Sequence, residues 1–185
     1  MHMANQDSAV LAHVAANLKR LRNTAGMSQT ALAELAGTSR RTIIKLEAGE
    51  ANIGLSGLDA IAHALDVTFT DLVASPAASR TEINEVAWRG AGPDSSAVLR
   101  GSAPATSEVQ LWNWSLGSGE RYDAQPDPAG WHEIIVVTEG RLRLIHETGH
   151  TDLEAGQHAI YPSSQRYSYV NDGPTPARFI RIVAS

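Results

Sequence analysis

Cysteine is absent from this chain of 185 residues, which excludes a disulfide framework. No apolar run approaches the roughly 18 residues that a membrane-spanning helix needs, so the sequence predicts no membrane partner. The first residues, MHMANQDS, lack the basic end and the following apolar core of a signal peptide. Together these absences predict a cytoplasmic protein.

Positive charge is also scarce. The chain has 15 Lys and Arg residues against 20 Asp and Glu residues, which gives a net charge of −5 at pH 7. This balance argues against a protein that coats nucleic acid through bulk positive charge, so any contact with DNA must be local. The remaining composition, 43% hydrophobic and 19% charged, is typical of globular proteins, and the length fits two small domains.

Apolar residues recur at helical spacing in the first part of the chain. They predict an amphipathic helix over residues 10–24 and further helices at about 55–65 and 69–73. In the first of these helices the apolar positions are Leu11, Val14, Leu18 and Leu21. With two short helices between them, described next, the sequence predicts an all-α domain of five helices over residues 10–74.

Residues 28–49, SQTALAELAGTSRRTIIKLEAG, predict two short helices that meet at a tight turn. Ser28 and Ser39 are suitable N-caps, and Gly37 ends the first of the two helices where a positive φ costs little. Leu32 and Leu35 lie on one face of that first helix, and Ile43 and Leu46 are spaced to pack inward in the second. The outer face of the second helix is then cationic, with Arg40, Arg41 and Lys45.

Several positions in residues 15–73 fall into the register of the phage-repressor, or XRE-type, helix-turn-helix family, which this part of the chain resembles. They are Gln29, the AELAG turn at 33–37, Ile43, the Glu47-x-Gly49 pair, Leu58, the Ala62-x-x-Leu65 pair and Leu72. The resemblance implies that the third helix enters the major groove of double-stranded DNA, where each base pair shows a distinct pattern of donors and acceptors. It also implies that Arg22 pairs with Glu47.

The resemblance implies a set of DNA contacts on the second and third helices. Arginine there suits guanine O6 and N7, and Gln29 resembles the family's phosphate-binding glutamine. The implied contacts are Gln29, Thr38, Ser39, Arg40, Arg41, Thr42 and Lys45. Because one such domain buries too little DNA surface for tight binding, we expect a homodimer on an inverted-repeat operator with guanines in each half-site.

In the second part of the chain, apolar and polar residues alternate with the two-residue period of β-strands. Residues 75–106 are rich in Ala, Ser, Gly and Pro and are interpreted as a linker with the first strands. Over residues 107–185, apolar and polar residues alternate in runs separated by turn residues, which predicts an all-β antiparallel sandwich or barrel. The runs are EVQLWNWSL, EIIVVTEG, RLRLIHE, HAIYP, RYSYVN and ARFIRIVA.

Two spacings in residues 107–185 resemble the motifs of the cupin family, which is a small double-stranded β-helix barrel. Glu133 is followed by six residues and Gly140, as at the end of the first motif. Gly156, Pro162 and Asn171 match positions of the second motif. The chain is therefore identified as a member of the regulators that join an XRE-type helix-turn-helix domain to a C-terminal cupin sensor domain.

Metal-binding cupins place two or three histidines beside the carboxylate, and this sequence departs from that pattern. Asp127 and Ala129, or Pro126 and Pro128 at the longer spacing, stand where the first two histidines would be, and Tyr167 replaces the third. Glu133 alone does not supply the imidazole donors that first-row metals need. We therefore expect no metal, no cofactor, no catalytic residue and no enzymatic activity.

An interior without metal leaves space for a small organic molecule. By resemblance, Glu133, Tyr167 and Tyr169 occupy alternate inward positions, and Trp112 and Trp114 share one face of their strand. These five residues are the candidate effector site.

The expected function is a DNA-binding transcriptional regulator, a repressor, whose barrel senses a small-molecule effector. Two alternatives stay open: a metal-dependent cupin oxidase or epoxidase with an attached helix-turn-helix, and a DNA-binding scaffold whose barrel only dimerises.

Overall fold

A computed structural model describes residues 4–51, 53–75, 80–105 and 108–185. The chain divides into two compact units, Met1–Ala87 and Trp88–Ser185, and each is described by itself. Residues 76–79 and 106–107 lie outside the described residues, so part of the predicted linker and the predicted start of the cupin core do too.

The first unit contains the five helices that the sequence predicts. They are α1 (Ala4–Thr24), α2 (Gln29–Leu35), α3 (Arg40–Glu47), α4 (Gly54–Ala64) and α5 (Phe69–Val73). Both predicted N-caps are confirmed: the Ser28 hydroxyl accepts a hydrogen bond from the Ala31 amide at 3.1 Å, and the Ser39 hydroxyl accepts one from the Thr42 amide at 3.0 Å. None of the described helices has the length and apolarity needed to cross a membrane.

One apolar stripe from each helix fills the core of this unit. The stripe includes Val14, Leu18, Leu32, Ala33, Ile43, Leu46, Leu58, Ile61 and Leu72. Leu35, which the spacing places on the same face of α2 as Leu32, is 64% exposed. The buried stripe of α2 is centred between Leu32 and Ala33, and Leu35 lies about 110° around the helix from that centre.

The described residues contain ten strands in two antiparallel sheets, which confirms the all-β prediction, and all of these strands lie in the second unit except the start of β1, which belongs to the first. The strands are β1 (Glu85–Arg89), β2 (Ser96–Pro104), β3 (Glu108–Leu116), β4 (Arg121–Ala124), β5 (His132–Glu139), β6 (Arg141–His146), β7 (Gly149–Glu154), β8 (His158–Pro162), β9 (Tyr167–Val170) and β10 (Ala177–Ala184). One sheet has the order β1-β2-β3-β10-β5-β8 and the other β4-β9-β6-β7.

An aromatic cluster fills the space between the two sheets. Trp114 of β3 and Phe179 of β10 come from the six-stranded sheet, with ring centroids 5.7 Å apart. Tyr122 of β4 and Tyr169 of β9 come from the four-stranded sheet, and their rings lie 4.7 and 5.4 Å from that of Trp114. Edge-to-face pairs at these distances stabilise the packing beyond the burial of area.

The turn between β5 and β6 explains the glycine of the first cupin motif. Gly140 has a φ of +73°, and a Cβ at this position would lie 2.6 Å from the carbonyl oxygen of Pro176. A side chain there would be strained and would also collide with backbone, so only glycine fits.

Candidate DNA interface and buried barrel site

Helix α3 presents a cationic surface outward. Ile43 and Leu46 are buried against the core, so Arg40, Arg41 and Lys45 lie on the exposed side. A cationic side chain therefore stands at three exposed positions of an eight-residue helix, although the whole chain is acidic. This is the local concentration of positive charge that the composition requires for any DNA contact.

The turn that leads into α3 is held by short polar contacts. The Thr38 amide donates to the carbonyl oxygen of Ala33 at 2.9 Å. The hydroxyls of Ser39 and Thr42 lie 2.8 Å apart and share a hydrogen bond. Gly37 has a φ of +62°, as its predicted role at the end of α2 requires. The predicted DNA contacts Thr38, Ser39 and Thr42 thus stand together at the start of α3.

A partly buried ion pair connects α1 to the end of α3, as the resemblance implies. Arg22 Nε donates to Glu47 Oε1 at 2.5 Å and Arg22 Nη2 to Glu47 Oε2 at 3.2 Å. Gln29, at the start of α2, donates from Nε2 to Glu47 Oε2 at 2.9 Å. Burial raises the pKa of Glu47, but the hydrogen bonds and charge of Arg22 and the amide of Gln29 outweigh burial and lower it.

The barrel interior brings together three of the predicted effector residues. Tyr167 Oη donates to Glu133 Oε1 at 2.7 Å, and Tyr169 Oη donates to Glu133 Oε2 at 2.5 Å. Two further residues, Tyr161 of β8 and Arg181 of β10, also bind this carboxylate. We call these five side chains the Glu133 cluster, and all of them are buried.

Electrostatics keep the Glu133 cluster as an ion pair surrounded by neutral phenols. Burial raises the pKa of Glu133, but the charge and hydrogen bonds of Arg181 and the tyrosine hydroxyls outweigh it and lower the pKa. Burial raises the pKa of each tyrosine, and the Glu133 charge adds to the effect. Glu133 is therefore ionised and the tyrosines donate to it as neutral phenols.

The two predicted tryptophans contact the cluster through Arg181. The guanidinium carbon lies 5.7 Å from the Trp112 ring centroid and 5.9 Å from that of Trp114, within the range of a cation–π contact. The Trp112 indole donates to the Gln110 side-chain oxygen at 2.9 Å. Both tryptophans are buried, so their contacts lie with the barrel's own residues.

Asp127, at a position of the missing histidines, lies close to the cluster. Its backbone amide donates to the Ser163 carbonyl at 3.0 Å, and its Oδ2 is buried with no hydrogen-bond partner among the residues that the structure describes. Burial raises the pKa of Asp127 to about 6, with repulsion from Glu133 adding to burial and attraction to Arg181 opposing it.

The residues at this position do not fit a metal ion. Arg181 and the three tyrosines of the cluster occupy both oxygens of Glu133. Across the described ranges, no group of three or more His, Cys, Asp or Glu side chains is arranged to hold a metal. His132 is exposed while Glu133 is buried, because neighbours on a strand point to opposite faces.

A polar cleft of about 470 Å³ opens at the four-stranded sheet. Arg121, Arg166 and Ser168 are among its lining residues, and Tyr167 also lines it. Arg121 donates to Asp123 at 2.6 Å and to the Ser168 hydroxyl at 2.8 Å. Tyr167 therefore belongs both to this cleft and to the Glu133 cluster.

Family models match both halves of the chain. A helix-turn-helix model of the HTH_3 type matches residues 18–72, and a cupin-domain model matches residues 114–183. The chain joins an XRE-type helix-turn-helix domain to a cupin domain. The helical unit is called the XRE-type domain below, and the β-rich unit is called the cupin domain.

Two known helix-turn-helix transcriptional regulators are similar to nearly the whole chain. The HTH-type transcriptional regulator SutR of Escherichia coli is 24% identical over 169 residues, which cover 90% of this chain and 91% of that protein. The crystal structure of an HTH_3 family transcriptional regulator from Vibrio cholerae has a TM-score of 0.72 and 23% identity, and the match covers 97% and 98% of the two chains.

A weaker structural similarity is to FeII HppE, with a TM-score of 0.43 and 17% identity over 95% of this chain and 100% of that one. A TM-score this low decides nothing about the chemistry of the present barrel.

Sequence reasoning missed Arg181, Tyr161 and the burial of the Oδ2 atom of Asp127. A signal for Arg181 was present, because alternation in ARFIRIVA places it on the same face as Phe179 and Val183. An arginine among inward apolar positions indicates a buried partner of opposite charge.

Proposed function

We propose that the protein is a sequence-specific DNA-binding transcriptional regulator that acts as a repressor. The observation that carries this proposal is the geometry of α3, in which Ile43 and Leu46 are buried while Arg40, Arg41 and Lys45 are exposed. The match to the helix-turn-helix model and the similarity to two transcriptional regulators support it.

In this proposal α3 enters the major groove and reads base edges. Arg40 and Arg41 donate bidentate hydrogen bonds to guanine O6 and N7, each worth about 1–3 kcal/mol of discrimination. Ser39 and Thr42 lie at the end of the helix that approaches the bases, and Lys45 adds positive charge.

Thr38 and Gln29 contact the DNA backbone in this proposal. Gln29 does so through the part of its side-chain amide that Glu47 does not bind. A homodimer presents two such helices to an inverted repeat, and occupation of the repeat blocks transcription.

The test compares Arg40→Glu and Arg41→Glu with Arg141→Glu, which makes the same change of charge in the cupin domain, outside the cleft, at a side chain that is 40% exposed. The probe is a pool of duplexes selected by the full-length protein from a random-sequence library. We expect each α3 variant to lose selective retardation of this pool and Arg141→Glu to retain it. Retention by a variant with both α3 arginines reversed would overturn the proposal.

We further propose that the cupin domain senses a small organic effector through Glu133, Tyr167, Tyr169, Trp112 and Trp114. Tyr167 lines the open cleft and donates to Glu133, so one side chain connects the cleft to the buried cluster. A ligand shifts DNA affinity only if it favours one arrangement of the dimer over another. In this proposal the ligand acts by rearranging the contacts of Tyr167.

A second candidate is favoured by the completeness of the Glu133 cluster. Because the carboxylate, the guanidinium and the phenols already bind one another, the barrel also suits a scaffold that only dimerises. Native mass spectrometry of the purified protein, followed by operator titration at fixed salt with any co-purified molecule, separates the two. A molecule that binds and leaves operator affinity unchanged contradicts sensing and favours the scaffold.

The donor set argues against a metal-dependent oxidase or epoxidase, because Glu133 is bound to Arg181. We expect elemental analysis of protein from metal-supplemented medium to find no stoichiometric iron, manganese or zinc. Metal that disappears in Glu133→Gln would restore the enzyme hypothesis.

A further inference from the structure

An apolar row crosses the outer face of the six-stranded sheet. The strand register aligns Leu111 with Ile182, Ile182 with Ile134, and Ile134 with Ile160. These side chains point away from the Glu133 cluster because successive residues on a strand alternate between the two faces. Ile160 is 63% exposed and Leu111 is 41% exposed, so both ends of the row are open to solvent.

The rows on either side of this one also lack formal charge. One aligns Asn113, Ile180, Val136 and His158, and the other aligns Val109, Ala184, His132 and Pro162. We call the three rows together the Ile160 face. An outer sheet face that meets only water normally alternates with polar and charged residues. At none of the positions in these three rows is there an Asp, Glu, Lys or Arg.

We propose that the Ile160 face packs against the same face of a second copy of this chain and forms the two-fold interface of the dimer. The inference rests on the proposed function, since two recognition helices are needed to read an inverted repeat.

The absence of charge favours a second copy as the occupant. A two-fold contact sets the patch against a copy of itself, so a patch with net charge of one sign would repel its partner, whereas a patch without charged residues does not. The Ile160 face avoids this repulsion, and its apolar centre and polar margin of Asn113, His132 and His158 have the arrangement of a dimer interface.

The size of the face agrees with this role. The four strands lie about 4.8 Å apart, and the three rows lie about 6.8 Å apart along the strands, so together they cover roughly 400 Å² of the sheet. A stable interface buries about 800 Å² of accessible surface on each partner. The Ile160 face therefore supplies the apolar centre, and its surrounding residues supply the remainder.

The experiment measures the dimer dissociation constant of the full-length protein by sedimentation equilibrium. Ile160→Asp and, at the other end of the row, Leu111→Asp each place two unpaired carboxylates in the interface of a dimer. We expect each to raise the dissociation constant by at least about 100-fold. The matched control is Leu35→Asp, since Leu35 of α2 is 64% exposed and lies outside the face. It is expected to remain dimeric.

Circular dichroism and thermal unfolding establish that the variants are folded. A monomeric parent protein, or folded Ile160→Asp and Leu111→Asp variants that dimerise like Leu35→Asp, would overturn the interface. DNA binding is scored separately on a duplex with one half-site and on an inverted repeat. Loss of the preference for the inverted repeat with half-site binding retained supports the interface. A dimeric parent protein that selects no DNA sequence would contradict the proposed function and leave the interface standing.

Discussion

Arg181 Nε donates to Glu133 Oε1 at 2.6 Å, diagonally across the ladder of β5 and β10, in which Val183 is the direct partner of Glu133. Both side chains are almost completely buried. The charge that the barrel places beside Glu133 is thus a guanidinium fixed to a neighbouring strand. A buried pair of this kind is costly to break, because removal of one partner leaves the other as an isolated charge.

Arg181→Met is therefore expected to lower the free energy of unfolding by about 3–5 kcal/mol. The double variant Arg181→Met with Glu133→Gln should recover much of this loss, since it leaves no unpaired charge. Urea unfolding followed by circular dichroism measures both. Arg178→Met, an exposed position on the same strand, is the control and should change stability by less than about 0.5 kcal/mol. If Arg181→Met and Arg178→Met lowered the free energy of unfolding by the same amount, the pairing of Arg181 with Glu133 would be contradicted.

Asp127 gives the protein a stability that depends on pH. Its folded-state pKa of about 6 is above the usual carboxyl value. As pH rises from about 4 to 6, the unfolded state releases this proton first, so the contribution of Asp127 to stability falls. Asp127→Asn should raise the melting temperature at pH 7 and leave it unchanged at pH 3.5.

The control for this experiment is Asp94→Asn, an exposed carboxyl in a turn. The effect of Glu133 on stability has the opposite dependence on pH, because folding lowers the pKa of Glu133. Its contribution to the free energy of unfolding is present at neutral pH and is lost as pH falls through the folded-state pKa. A melting temperature of Asp127→Asn that stays below that of the parent at pH 7 would refute the assignment of the raised pKa.

The Arg22–Glu47 pair is expected to stabilise the XRE-type domain. A double-mutant cycle with Arg22→Ala and Glu47→Ala should give a coupling of about 1.5–3 kcal/mol, the range of hydrogen bonds to charged groups. Arg22→Lys should not restore stability, since lysine cannot bind both Glu47 oxygens and the Met27 carbonyl as Arg22 does. Thermal unfolding provides the measurement, and additive single effects would show that the pair is not coupled.

Lys45 and Arg40 should differ in what they contribute to DNA binding. If Lys45 meets a phosphate, Lys45→Ala weakens binding to all sequences and reduces the slope of log K against log salt by about 0.9. Arg40→Ala should instead relax the base preference at one position of the half-site. Affinities measured between 50 and 200 mM salt on the selected duplex and on single-base variants test both, and an unchanged slope for Lys45→Ala would assign that residue elsewhere.

The sequence predicted well wherever a local period or cap determines structure. The N-caps Ser28 and Ser39 were readable because their chemistry lies within three residues of the helix start. The resemblance to the cupin motifs placed Glu133, Tyr167 and Tyr169 at inward positions, and all three are buried in the structure. Strand β7, with the sequence GHTDLE, was missed because it is almost entirely exposed and shows no alternation of apolar residues.

What the sequence did not reveal depends on pairing between distant segments. Arg181 contacts Glu133 only because β10 lies next to β5, and no local sequence pattern predicts which strands are neighbours in the sheet. The outward row through Ile160 likewise becomes visible only when the registers of three strand pairs are combined. The exposure of Leu35 could not be predicted from its spacing, because two leucines three residues apart do not by themselves determine the centre of a buried stripe.

All four tryptophans of the chain lie at position 88 or beyond, and Trp88, Trp112 and Trp114 belong to the barrel core or its aromatic contacts. The XRE-type domain contains none. Intrinsic tryptophan fluorescence therefore reports on the cupin domain alone, because the helices that would contact DNA contain no tryptophan. A spectral change on adding operator DNA would be a direct sign that an event at the helices is transmitted to the barrel.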